Sequence, residues 1–317
     1  MAPQTLFHTV LCPIDFSEHS RQALAYAAAL VKRLKGELIV NYVEDPLLLA
    51  AAAMAYDEKA MRDNAHRALT RFVERSIRPF GLSIESIMLE IAIGKPHEEI
   101  ERAADRHACD LVVLGSHGET GANRMMLGST TLRVLRRATI PVLAIPPVKG
   151  RAKRPLASWP GPWVLAPVDL DSSARADAQI AAVCARELGA RLRLVHIVEP
   201  LPERPWIEID ARRRNQQMQR HALALLKSLK DELGSAVTDT LVQSGKPGRA
   251  IAAVASSSKV GLVVMTRRPG QGLLGPRQGS ISYQVLTDAR TPVLALPSDK
   301  QWLDRAAALQ PHKRGAQ

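Results

Sequence analysis

The chain has 317 residues, 46% of them hydrophobic, so it is long enough for two ordinary domains that each bury a core. No run of 18 or more apolar residues occurs, which excludes a membrane-spanning helix, and the N-terminal stretch lacks the basic and apolar regions of a secretory signal. The net charge is +12, but its runs, at 149–154, 211–214 and 312–314, have no aromatic-interleaved basic strand beside them and read as solvated linker, helix face and tail, not as a nucleic-acid site.

In chain order, TVLCPI (9–14) reads as a short buried strand, and the segment to Gly36 has helical spacing. ELIVNYV (37–43) is a second strand. Residues 46–81 hold a loop and then a long helix. SIESIMLEIA (83–92) alternates like a strand, and the helix after it carries Pro96 at its first position. LVVLG (111–115) is a buried strand, STTLRVLRRA (129–138) a helix and PVLAIP (141–146) a last strand. Continuous apolar strands separated by helices imply a parallel sheet covered on both faces.

The second half repeats the first. VLCPID (10–15) matches VLAPVD (164–169) at an offset of 154, and IGKPHEEI (93–100) matches SGKPGRAI (244–251) at 151. The 151 offset holds without a gap from Leu111 against Leu262 to Pro146 against Pro297. A unit of about 150 residues is a domain, not a solenoid repeat. The expected organisation is a first domain over 1–147, a linker over 148–160, a second domain over 161–298, and a tail over 299–317 that is a short helix or disorder. The fold class is α/β, with two tandem doubly wound parallel-sheet domains of Rossmann-like type.

In such sheets ligands sit beyond the carboxyl ends of the strands, at the switch point. Those positions are Pro13, Ile14 and Asp15 after the first strand, Tyr42 after the second, and Leu114 onward after the fourth. The loop GSHGETGANRMMLGST (115–130) reads G-x-x-G, nine residues, then G-S. Gly115 allows close approach to a ligand and Gly118 allows a turn. Gly128 and Ser129 open the next helix, with Ser129 placed as its N-cap. Free N–H groups at that end and the helix dipole favour phosphate, and the Ser129 and Thr130 hydroxyls add donors. The matching stretch TRRPGQGLLGPRQGS (266–280) keeps Gly279 and Ser280 but has Thr266 and Pro269 where the first loop has glycine.

The chain resembles a tandem universal stress protein. CPIDFSEHS (12–20), GKP (94–96), the loop at 115–130 and PVLAIP (141–146) carry the resemblance, which extends over almost all of both halves. It implies an adenine nucleotide alpha hydrolase-like fold and an ATP site in the first domain, with or without Mg. Carried over by motif, Pro13, Ile14 and Asp15 border the adenine and ribose, Tyr42 offers backbone to the adenine edge, and Leu114 packs on the nucleoside. Gly115, His117, Gly118, Gly128, Ser129 and Thr130 surround the ribose and phosphates. Tyr42 departs from the small aliphatic usual there, and the second loop departs further, so nucleotide is expected in the first domain and weak, different or no binding in the second. The resemblance also implies pairing of the two halves through their last strands; two such chains could associate further into a homodimer, and any protein partner is unknown.

No nucleophile–base–orienter set is visible, and no pair of acids flanks the loop to hold a metal. GKP is not a Walker motif, because proline follows the lysine, and a G-x-G-x-x-G after the first strand is missing. Cys12, Cys109 and Cys184 lie in or beside apolar segments, a sparse set that suits a reducing cytoplasm. The expected function is a cytoplasmic ATP-binding stress-response regulator or sensor. The alternatives are an interaction module with relic nucleotide sites, or a slow ATPase.

Overall fold

The computed structural model describes residues 5–53, 57–116, 126–147, 156–201, 211–257, 259–267, 280–297 and 300–308. The chain divides into two compact units between Trp159 and Pro160, with Leu6 counted in the second.

The first unit begins with β1 (Thr9–Ile14), whose Val10, Leu11 and Cys12 are fully buried. Burying each Val or Leu side chain is worth about 1.5–3 kcal/mol. Then follow α1 (Glu18–Leu34), β2 (Glu37–Glu44), α2 (Pro46–Ala53), α3 (Glu58–Ile77), β3 (Ile87–Ile93), α4 (Pro96–Arg106), β4 (Leu111–Gly115), α5 (Ser129–Arg137) and β5 (Val142–Ile145). The strands run parallel in the order β3-β2-β1-β4-β5. α1 shows why helical spacing succeeds here. Ala23, Leu24, Ala27, Ala28 and Val31 form one buried stripe, Ser17 caps the start by accepting from the Ser20 N–H, and Lys35 ends it in a left-handed conformation. The segment after β2, read from sequence as a loop, contains the short helix α2, because leucine and alanine keep their helical propensity without an amphipathic period.

The second unit repeats this plan with β6 (Trp163–Pro167), α6 (Ala174–Glu187), β7 (Arg191–Val198), α7 (Ala211–Leu233), β8 (Asp239–Ser244), α8 (Pro247–Ser257), β9 (Val260–Thr266), α9 (Ile281–Asp288) and β10 (Val293–Leu296). Its parallel order is β8-β7-β6-β9-β10. The tail supplies α10 (Lys300–Ala308), with Trp302 and Ala306 buried and the helix against α6.

Both units are therefore parallel sheets with a switch point between their first and fourth strands. Gly94 and Gly245, the same position in the two copies, have φ of +155° and +146°. Each bridges a third strand to the helix behind it, in a conformation side chains rarely adopt.

Candidate functional site

In the first unit, register brings three strand ends together. Ile14 lies opposite Tyr42, Pro13 opposite Asn41, and β4 flanks β1 on the other side from Val10 against Leu111 onward. Pro13, Ile14 and Leu114 are buried. Asp15 is exposed where β1 turns into α1. Its Oδ1 accepts from the Ser17 N–H at 3.0 Å and the Ser17 hydroxyl at 2.5 Å, and its own N–H donates to Ser20 Oγ at 3.3 Å. One carboxylate oxygen thus builds the turn. The other has no hydrogen-bond partner among the described residues.

Phe16 follows in a left-handed conformation, φ 61°, which costs a side chain of this size of order 1 kcal/mol or more. Its ring meets Tyr42 at 4.7 Å and Phe72 at 5.3 Å, both edge-on, and the Arg21 guanidinium sits 4.3 Å over Phe72. These contacts hold the strained turn. They also answer what the bulk of Tyr42 does: its ring is committed to Phe16, and its backbone stays in the ladder opposite Ile14.

On the β4 side, the Ser116 N–H donates to the Ile145 carbonyl and the Gly128 N–H donates to the Ser116 carbonyl, each at 2.8 Å. The Thr131 hydroxyl donates to the Gly115 carbonyl at 2.7 Å. The start of α5 is therefore tied to the end of β4, so that Gly115, Gly128, Ser129 and Thr130 sit together. Ser116 and Thr131, both buried, are the pins of this arrangement. The sequence reading overlooked them because neither the backbone ties of Ser116 nor the hydroxyl-to-carbonyl tie of Thr131 leaves a periodic signal. His117 and Gly118, and the Arg124 and Glu119 between the fixed ends, lie outside the described residues.

The helix start differs from the expectation. Gly128, not Ser129, is the N-cap of α5, with φ −56° and ψ 141°, and glycine has no side chain to cap the helix. Ser129 is the first helical residue and is exposed. The first-turn donors of Ser129, Thr130 and Thr131 have no capping side chain among the described residues, and the dipole adds positive potential there. In the second unit the corresponding helix starts one residue later. Ser280, the counterpart of Ser129 at the 151 offset, is itself the N-cap, and its hydroxyl accepts from the Tyr283 N–H at 3.2 Å.

Beside that capped helix, Arg267 takes the position of Ser116 and keeps its backbone bond, donating to the Leu296 carbonyl at 2.8 Å. Its side chain is 8% exposed, and burial lowers the guanidinium to about 10. Pro269, Gly270, Gly272, Gly275 and Gly279 lie outside the described residues. Among the described residues of the whole chain, no group of three or more His, Cys, Asp or Glu converges as a metal cage would require.

One buried polar residue stands out beside the site. Asn41 is 0% exposed, and neither atom of its amide has a hydrogen-bond partner among the described residues. It lies in β2 between Pro13 and Glu90 in the register. Such a group costs about 1–3 kcal/mol uncompensated.

A sequence profile of the Universal stress protein family matches residues 6–146 and again 163–297. The chain is 27% identical over 154 residues to universal stress protein MJ0577 of Methanocaldococcus jannaschii, an alignment covering 44% of this chain and 95% of that protein. It is 30% identical over 146 residues to universal stress protein MJ0531 of the same organism, covering 45% and 84%. Among solved structures, a universal stress protein from Archaeoglobus fulgidus aligns with a TM-score of 0.60 and 21% identity over 91% of this chain and 98% of its own. A functionally unknown protein from Pseudomonas aeruginosa gives a TM-score of 0.61 and 17% identity over 95% and 98%. At these identities the structures speak for the fold, and the doubled profile match speaks for the lineage. With one match in each half and most of the chain covered, the chain belongs to the universal stress protein family.

Proposed function

We propose that the first unit binds ATP and that the chain acts in the cytoplasm as a stress-response regulator whose contacts change with the bound nucleotide. The uncapped start of α5 carries this reading. It offers backbone donors and the Ser129 and Thr130 hydroxyls at the carboxyl end of a parallel sheet, beside the switch point. In this reading Pro13, Ile14 and Leu114 flank the base, Tyr42 contributes backbone, and the second oxygen of Asp15 meets a ribose hydroxyl. Gly115 and Gly128 let the phosphates approach, and His117 and Gly118 complete the loop. No acidic pair supports Mg among the described residues, so Mg enters as the counter-ion of the phosphates.

The second unit is proposed not to share this role, because Ser280 already satisfies its helix start and Arg267 fills the place of Ser116. The test is nucleotide content. The purified chain is denatured and the released adenine nucleotide counted, with and without prior ATP–Mg. One nucleotide per chain, lost on Ser129→Ala with Thr130→Ala, supports the proposal. Two per chain overturns the asymmetry, and none after loading with ATP overturns ATP binding.

A further inference from the structure

The basic run at 211–214 has no part in the nucleotide site, yet it opens α7, the longest helix of the described residues. α7 carries Arg212, Arg213, Arg214, Arg220, Lys227 and Lys230, with no acidic residue before Asp231. Cations at a helix N-terminus oppose the macrodipole, so helix stability does not explain them.

α7 packs on the sheet through Ala222, Leu226 and Leu229. Along the flank of that buried stripe, Gln216, Gln219, Arg220 and Leu223 recur at helical spacing and form one wall of a groove of about 380 Å³. Thr240, Leu241 and Val242 of β8 form the other wall. Three consecutive strand residues can line one groove only where the strand presents its edge as well as its faces. β8 is the outer strand of its unit. The Thr240 N–H donates to Asp239 Oδ1 at 2.8 Å rather than to β7, so this amide faces outward. Alternation turns Val242, two residues on, the same way. Outer strands are commonly blunted by charge or proline, and β8 has neither from Thr240 to Ser244. Asp239, at its start, is held by Arg193 at 2.7 Å.

We propose that the groove between α7 and the outer edge of β8 docks an extended acidic segment of a protein partner. The partner strand adds to β8 through main-chain hydrogen bonds, and its carboxylates face Arg220 while Gln216 and Gln219 offer amides to its polar groups. Leu223 supplies an apolar floor for an alternate side chain. The occupant is acidic because Arg220 is the charged residue of this lining and α7 carries no acidic residue before Asp231, and extended because the opposite wall is a strand edge. This inference is independent of the ATP reading.

The test uses the full chain and fluorescein-labelled Glu-Thr-Glu-Val-Glu-Thr, read by anisotropy at low salt. The controls are the basic counterpart, Lys-Thr-Lys-Val-Lys-Thr, and an acidic peptide with alternate amides N-methylated. The acidic peptide is expected to bind at least tenfold tighter than either control. Arg220→Glu, an exposed position checked for folding by circular dichroism, is expected to weaken it at least tenfold. Equal binding of the basic peptide refutes the charge argument. Undiminished binding of the N-methylated peptide means the groove holds carboxylates and not a strand. Binding unchanged by Arg220→Glu places the peptide elsewhere. Any of the three overturns the proposal.

Discussion

Gly128→Asp separates a phosphate site from a plain helix start. Gly128 is the N-cap of α5 with φ −56° and ψ 141°, a conformation open to any residue, so the backbone does not demand glycine. An aspartate there caps the free donors of the first turn. Replacing glycine by a good N-cap is worth a few tenths of a kcal/mol, and a carboxylate on the helix dipole adds about 0.3–1 kcal/mol. The variant is therefore expected to be more stable than wild type by about 0.5–1 kcal/mol in urea denaturation. In the proposed site the same carboxylate competes for the donors that hold phosphate and repels it. Two unit charges 4 Å apart interact by about 4 kcal/mol at an effective dielectric of 20. Even a third of that repulsion, about 1.4 kcal/mol, costs tenfold in affinity. Isothermal titration with ATP–Mg measures this loss, and Gly128→Ser, an uncharged cap, is expected to lie between the two. If Gly128→Asp is more stable and binds ATP within twofold of wild type, the donors at α5 do not hold phosphate. If neither variant gains stability, the first turn is not uncapped as described.

Thr131→Val removes the hydroxyl that ties α5 to the Gly115 carbonyl at nearly constant volume. It is expected to cost about 1 kcal/mol in urea denaturation and to weaken ATP binding, and an unaltered midpoint would show the tie to be idle. Glu187 responds to pH. Burial raises its carboxyl above the usual value, against the lowering effect of the Leu6 N–H, which donates to it at 3.0 Å. A raised native value favours the protonated form, so this stability is complete below the unfolded carboxylate range and is lost as pH rises through the raised value. Glu187→Gln is thus expected to stabilise the chain at pH 7, by under about 1 kcal/mol because the half-buried group is still partly screened by solvent, and to leave stability unchanged near pH 4. An equal shift at both pH values would refute the linkage. Cys12, Cys109 and Cys184 are buried, and burial pushes all three thiols up, Cys109 and Cys184 to about 12. Iodoacetamide at pH 8 is expected to label none in the native chain and all three in guanidinium, counted by intact mass.

The elements were legible because helices show as periodic patterns and buried strands as short continuous apolar runs. β1 shows as TVLCPI and β4 as LVVLG, buried runs too short and too β-branched for helices. α2 was missed for the converse reason: PLLLAAAA has no polar face to set a period. At the site, position in the fold was legible and local bonding was not. The ends of β1 and β4 follow from topology alone. The cap of α5 depends on a one-residue difference in where the helix begins, which the shared Gly-Ser pair conceals. The commitment of the Tyr42 ring to Phe16 likewise needs the third dimension, since 26 positions separate them.

Two copies in one chain allow a comparison that a single domain does not. Gly94 and Gly245 survive in both copies because φ near +150° is required wherever this turn is made. Gly115 has no positive φ, and its counterpart Thr266 occupies the end of β9 within a regular strand. The fold, then, does not require glycine at that position. In the proposed site, Gly115 is where the phosphates come close to the backbone. The helix start points the same way. Ser280 shows that a serine after glycine can cap its own helix, whereas Ser129 in the same pair does not. Among the described residues the first copy leaves without a side-chain cap donors that the second caps with Ser280, and it keeps a glycine where the second has Thr266. Both are expected if selection maintained a ligand contact in one copy and only a fold in the other. Thr266→Gly with Arg267→Ser in the second copy is therefore expected to be tolerated structurally, yet to create no second nucleotide site while Ser280 still caps α9. A second equivalent of ATP bound by that variant would show that the loop alone, and not the helix cap, decides which copy is used.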